Sequence, residues 1–238
     1  MGFDSPEFWV AVIQIIAIDI ILGGDNAIVI ALACRHLPEK QRNLGIFWGV
    51  LGAITLRVLL IFFALSLLSM PYLKISGAAL LIWIGIKLLQ PVSNNEEHGV
   101  VTSSTTLIGA IKTIIVADAV MSLDNVIAIA GAARDSLGLV VFGLVISVPI
   151  IVWGSQLVMK LMDRYPVTIV MGAALLGWIA GDMVVTDEVT RDWIRNNAVY
   201  LQLVIPTVTL FMVVIIGKKL AQLKNKAAVV VDLANKAK

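Results

Sequence analysis

Sulfur and imidazole are nearly missing from this chain: Cys34 is its one cysteine and His36 and His98 its two histidines. A lone cysteine closes no internal disulfide and builds no thiolate metal cluster within one chain, and Cys34 is expected at a helix end as a small apolar residue. Both histidines fall outside the apolar runs, which argues against a dedicated Zn²⁺ or Cu⁺ path through them. Charge is scarce as well, at 14% of residues. The first seven residues carry no Lys or Arg, so a basic secretory leader is not expected and the first apolar run reads as retained. No P-loop, Ser-His-Asp set or dinucleotide fingerprint is present, which argues against ATP-driven work by this chain alone.

What remains is apolar. Hydrophobic residues make up 59% of the chain and the mean hydropathy is +0.96, far above a soluble domain. An all-α integral membrane protein is expected, with the lipid bilayer and not nucleic acid as its surroundings. At 238 residues it holds about seven spans of roughly 20 to 25 residues, given a hydrocarbon core ~30 Å thick.

The apolar runs predict seven transmembrane helices at 8–33, 43–68, 73–90, 107–133, 137–161, 167–185 and 199–220. Breakers and polar residues occupy the connections. With the N-terminus outside, the inner loops and tail hold eleven basic residues and the outer loops four, so the positive-inside rule sets the N-terminus out and the C-terminus in. Arg57, Lys87 and Lys112 stay within spans. The lysines read as snorkelling from the cytoplasmic ends.

One segment occurs twice. Residues 16–31 align without a gap on residues 115–130, agreeing at 7 of 16 positions, and every acid in them is among the seven. A second match joins Gly77-Ala-Ala-Leu-Leu-Ile-Trp-Ile84 to Gly172-Ala-Ala-Leu-Leu-Gly-Trp-Ile179. Helices one to three and four to six are therefore two copies of one unit, and three crossings invert the second relative to the first. Inverted repeats of this kind build many secondary transporters, whose sites lie near the midplane between the halves. The expected organisation is a single transmembrane domain at 1–220, comprising repeat one at 8–90, repeat two at 107–185 and an unpaired seventh helix at 199–220. A basic cytoplasmic tail follows at 221–238 and reads as a frayed end.

Asp19 and Asp118 are each the twelfth residue of their span, near mid-membrane, where an ionised carboxylate costs several kcal/mol unless it has partners. Asp25 and Asp124 follow six residues on, about 9 Å along a helix. A step of seven returns to within about 20° of the same face, so Asn26 shares a face with Asp19 and Asn125 with Asp118, as does Ser122. Asp25 and Asp124 stand about 100° round and converge only where the helix is distorted. Gly23-Gly24 supplies a weak point in the first copy, whereas the second has Ser122-Leu123. Four carboxylates and two amides are hard oxygen donors suited to Mn²⁺, Ca²⁺ or Mg²⁺. Clustered in low dielectric, such acids gain proton affinity, so a proton can replace a departing cation.

Arg57 is read two ways, as the counter-ion that keeps the empty site neutral or as a fixed structural pair. Asp182 is read either as a pathway mouth or as an interfacial acid. Glu96-Glu97-His98 reads mainly as a solvated loop, and Pro149 and Pro206 as helix kinks.

The doubled motif, Gly23-Gly24-Asp25-Asn26 and Ser122-Leu123-Asp124-Asn125, with an Asp six residues before each and a six-plus-one layout, resembles the TerC family of integral membrane proteins. The resemblance runs from about Phe8 to Leu220. It implies Mn²⁺ export, with Asp19, Asp25, Asn26, Asp118, Asp124 and Asn125 forming the cation site, in a lysine-exporter-like transporter without the cytoplasmic modules of larger relatives. The expected function is a secondary transporter, not an enzyme, in the cell membrane, exporting divalent cations in exchange for protons. It has no tightly bound cofactor, Mn²⁺ is its cargo, and a homo-oligomer is compatible with the sequence. The alternative is an assembly or metal-loading factor for other membrane proteins that moves no ion itself. A membrane aspartyl protease is disfavoured, because Asp25 follows Leu22-Gly-Gly instead of the Gly-x-Gly that reading needs.

Overall fold

The computed structural model describes residues 6–68, 70–90, 106–132 and 137–236. The Glu96-Glu97-His98 segment lies outside them, and so does the side chain of Asp124. The described residues are helical throughout, with no strand among them: α1 (Pro6–Gly23), α2 (Asn26–Cys34), α3 (Glu39–Leu68), α4 (Leu73–Leu88), α5 (Leu107–Ala132), α6 (Leu137–Arg164), α7 (Val167–Thr186), α8 (Arg191–Asn197) and α9 (Leu201–Lys236). Within the described residues, each of the seven apolar runs is helical over most of its length. Among the described residues, α3, α6, α7 and α9 are long and apolar enough to cross a membrane, and the bent pair α1 and α2 brings that number to five.

The weak point expected at Gly23-Gly24 is a full break, and two further elements differ from the sequence expectation, each for a local reason. The first run is two helices bent by 54° across Leu22 to Asp25, because Gly23 and Gly24 interrupt it. A short α8 occupies the connection before the last span. The last helix continues to Lys236 instead of fraying after Lys218, since Leu, Ala, Gln and Lys favour helix and no breaker intervenes.

Packing pairs the halves symmetrically. The first helix of each repeat packs on the second helix of the other, α1 on α6 and α5 on α3, while the third helices α4 and α7 pack together. Glycines make these crossings close: a Cβ at Gly52 would lie 2.4 Å from Cδ1 of Ile115, and one at Gly143 would lie 2.5 Å from Cγ2 of Ile15. Helix α9 lies outside the repeats and packs on α7, where a Cβ at Gly181 would lie 2.2 Å from Oγ1 of Thr209.

Two apolar clusters form the core. One joins α2, the first half of α3, α4 and α7 with the adjoining halves of α5 and α6; the other joins Phe8, Val12 and Ile15 of α1 with Ile129 of α5 and Val140 and Leu144 of α6. The outer faces remain apolar, with Phe62 64% and Trp153 67% exposed, as suits contact with hydrocarbon. Lys87 stands 4.8 Å over the Trp83 ring. Beside these clusters α1, α2, α3, α5 and α6 contribute a layer of buried polar side chains, Asp19, Asn26, Arg57, Asp118, Ser122 and Ser147.

Candidate functional site

The polar layer begins where the first helix breaks. Gly24 is required there, because a Cβ on it would stand 2.9 Å from the Ile20 carbonyl oxygen. The carbonyl of Asp25 then accepts from the backbone N–H groups of Ile28 and Val29 and restarts the helix as α2. Gly23 faces the site directly: a Cβ on it would be 3.2 Å from Nδ2 of Asn26 and 3.6 Å from Oδ1 of Asp19. Its bare backbone leaves the space in which those two side chains meet their partners.

Asp19 and Asp118 are 1% and 7% exposed, and both are held by Arg57 of α3, itself 2% exposed. The guanidinium donates from one terminal nitrogen to Oδ1 of Asp19 and from the other to Oδ1 of Asp118. Each acid has further donors. The Ser147 hydroxyl of α6 donates to Oδ2 of Asp19, Asn26 donates from Nδ2 to Oδ1 of Asp118 at 2.7 Å, and Ser122 donates to Oδ2 of Asp118 at 3.2 Å. Two carboxylates, one guanidinium, one amide and two hydroxyls thus form a network from five helices of both repeats.

That network satisfies most of the demand of buried charge, but not all of it. Among the described residues, Oδ1 of Asp25, Oδ1 of Asn26 and Nε of Arg57 are buried without hydrogen-bond partners. A cavity of about 20 Å³ adjoins Asn26, Arg57 and Asp118, enough for one water or one dehydrated ion, and its remaining walls, including Val50 and Ile114, are apolar.

The residues singled out from sequence fall as follows. Asp19, Asn26 and Asp118 come together. Asp25 lies at the break, within electrostatic reach of Asp118 and Arg57. Asn125 is buried seven residues beyond Asp118 on α5, which runs through Ser122-Leu123 without a break. The convergence of several acids upon one point is not what the described side chains adopt: no three Asp, Glu, His or Cys among them are grouped to hold a metal. Arg57 stands between Asp19 and Asp118 instead, because two uncompensated carboxylates in low dielectric cost more than a carboxylate pair sharing a guanidinium.

Ser147 was not anticipated, although its solitary hydroxyl in the apolar run from Leu144 to Val152 was a visible signal. Asp187 was also missed. Fully buried after α7, it accepts from the backbone N–H groups of Tyr72, Lys74, Ile75 and Val189, pinning the start of α4 to the end of α7.

A family model described as "Integral membrane protein TerC family" matches residues 4–226, nearly the whole chain. The chain belongs to the TerC family. The membrane protein YjbE of Bacillus subtilis (strain 168) is 43% identical over 182 residues, which cover 76% of this chain and 82% of that one. The inner membrane protein YgdQ of Escherichia coli (strain K12) is 27% identical over 177 residues, covering 68% of this chain and 74% of its own. A longer relative, YegH of Escherichia coli (strain K12), is 26% identical over 200 residues, covering 76% of this chain but 37% of its own. No solved structure matches the chain. Membership fixes the general class of this TerC chain as a multi-pass membrane protein, and the buried network lies inside the matched region.

Proposed function

We propose that this TerC-family protein is a secondary transporter that exports a hard divalent cation, Mn²⁺ foremost, from the cytoplasm in exchange for protons. In this reading α1 with α2, α3, α4, α5, α6, α7 and α9 are seven spans of the cell membrane, with the N-terminus outside and the lysine-rich C-terminus inside. The observation that supports it most is the meeting of Asp19 and Asp118, one acid from each repeat, beside a broken helix and an ion-sized cavity.

The donors suit such a cargo. Asp19, Asp118, Asp25 and Asn26 present only oxygen acceptors to an incoming cation, and hard oxygen sites favour Mn²⁺, Mg²⁺ or Ca²⁺ over soft metals. Asp124 and Asn125 complete the set from the second repeat. Carboxylates in low dielectric also bind protons readily, which couples cation release to proton entry.

The test is cellular. Cells lacking the protein should become Mn²⁺-sensitive and accumulate cytoplasmic Mn²⁺, wild type should restore both, and Asp19→Asn or Asp118→Asn should restore neither. An unchanged Mn²⁺ content in the deletion strain sinks the transport reading and returns the assembly-factor alternative.

A further inference from the structure

We propose that Arg57 is a tethered cation that stands in for part of the cargo's charge, offsetting one of the two negative charges of Asp19 and Asp118 when no divalent ion is bound and yielding both acids when one arrives. The proposal rests on the transport reading and adds to it the reason a carrier that has taken up a single proton can return.

Arg57 is placed as a bound ion would be. Its two terminal nitrogens engage the acids contributed by the two repeats, and it lies 2% exposed among them. A divalent ion needs the same oxygens. Bringing a second positive charge beside the guanidinium in low dielectric is strongly unfavourable, so occupancy by the ion and pairing by Arg57 exclude each other.

The grip is nevertheless incomplete. A guanidinium has five N–H donors in a fixed fork, and a permanent brace uses them, yet Nε of Arg57 has no partner among the described residues. Oδ1 of Asn26, on a side chain that lines the cavity, and Oδ1 of Asp25, at the helix break, are buried acceptors without donors, which suits a cation and not an anion. The cavity opens against Arg57, Asn26 and Asp118, and Gly23 leaves bare backbone alongside, where a Cβ would be 3.9 Å from the nearer terminal nitrogen. The unsatisfied Asn26 oxygen, room for one small ion, and an incompletely satisfied guanidinium thus belong to residues of one cavity.

The consequence is a division of labour. With Arg57 present, the emptied site carries a single net negative charge, which one incoming proton neutralises, so it can change its access and net export proceeds. Without it, two carboxylates must both take a proton before the emptied site is neutral, the site binds the cation more tightly, and it changes access far more readily while loaded. Such a carrier exchanges cargo for cargo but exports little of it.

The full-length protein in vesicles tests this through two transport readouts, net Mn²⁺ movement under a pH gradient and exchange of labelled for unlabelled Mn²⁺ at equal concentrations. Wild type should do both. Arg57→Gln should lose net movement by about tenfold or more yet keep exchange, and should need about tenfold less Mn²⁺ for half-maximal thermal stabilisation. Arg57→Lys, which keeps the charge but cannot fork across both acids, should recover part of the net movement and bind Mn²⁺ more tightly than wild type. If Arg57→Gln does not fold, Arg57→Lys carries the test: Mn²⁺ affinity equal to or below wild type overturns the proposal. So does Arg57→Gln that keeps net movement, or a folded Arg57→Gln that loses exchange as well. Wild type that moves Mn²⁺ in neither mode overturns the transport reading itself.

Discussion

Asn26 donates a hydrogen bond across 2.7 Å to Asp118, a residue 92 positions away in the other repeat. The amide of the first Asp-Asn segment therefore serves the acid of the second copy, and a site that looks like two separate motifs in the sequence is one shared network. The break between α1 and α2 makes this possible, since it turns the start of α2 toward α5.

The first prediction concerns the charges in that network. Removing Arg57 leaves two buried acids unpaired, so Arg57→Gln should lower unfolding stability by about 3–5 kcal/mol. Adding Asp118→Asn removes one of the stranded charges and should recover part of the loss, giving a favourable coupling in a double-mutant cycle. Thermal unfolding in detergent measures both. Additive losses would mean that the two side chains do not depend on one another.

A second prediction follows from the break. Alanine at position 24 would press its Cβ against the Ile20 carbonyl, and it also favours continuous helix by about 1 kcal/mol over glycine. Gly24→Ala should therefore straighten the α1 and α2 junction, draw Asn26 away from Asp118 and abolish Mn²⁺ movement in vesicles while the protein still purifies as a folded species. Gly154→Ala is the matched control, because a Cβ there meets only Cβ of Ala27 at an ordinary 3.9 Å. Equal activity in the two variants would show the break to be dispensable.

Much of this was legible in the sequence, and the rest was hidden for physical reasons. Hydropathy located the helices because lipid demands long apolar runs, and the exact repeat of Asp19 and Asp118 marked the paired acids because buried charge is rarely kept without use. The Gly23-Gly24 break was visible in composition. Arg57 had no counterpart in the second repeat, so its two bonds could not be assigned by symmetry; they depend on how α3 packs between α1 and α5. Ser147 and Asp187 act through tertiary contacts that no local pattern encodes. The twist that brings Asn26 to Asp118, and not to its own helical neighbour Asp19, is likewise a property of the packed halves.

A third prediction uses the connection between α2 and α3. His36 accepts a hydrogen bond from Nε of Arg35 at 2.8 Å, and burial together with the charges of Arg35 and Arg42 pushes its pKa down to about 4 from 6.5. Asp163 lines the same cleft, but it is engaged by Arg42 at 3.1 Å. In the unfolded chain His36 takes its proton near 6.5, and in the folded protein only near 4, so between those values the unfolded state holds more protons. The stability present above pH 6.5 should therefore fall as the pH drops toward 4. His36→Gln, which keeps an acceptor but cannot titrate, should flatten that part of the profile in thermal melts. An unchanged slope would assign the pH dependence to other groups.

The last prediction separates fold from transport. Asp187 is fully buried and receives four backbone N–H groups, three of them at the start of α4, where Tyr72 adopts φ 65 and the helix has no side-chain cap of its own. Truncating it strands those donors, at a cost of about 1–3 kcal/mol for an unsatisfied buried group. Asp187→Ala should lower the melting temperature clearly, and Asp187→Asn less, since its carbonyl still accepts from part of the set. Neither change touches Asp19, Arg57 or Asp118, so the Mn²⁺ concentration for half-maximal transport should stay within about twofold of wild type wherever the variant is folded. A large shift in that concentration at unchanged stability would mean that the α4 and α7 junction moves during transport, and that Asp187 acts on the cycle instead of on the fold.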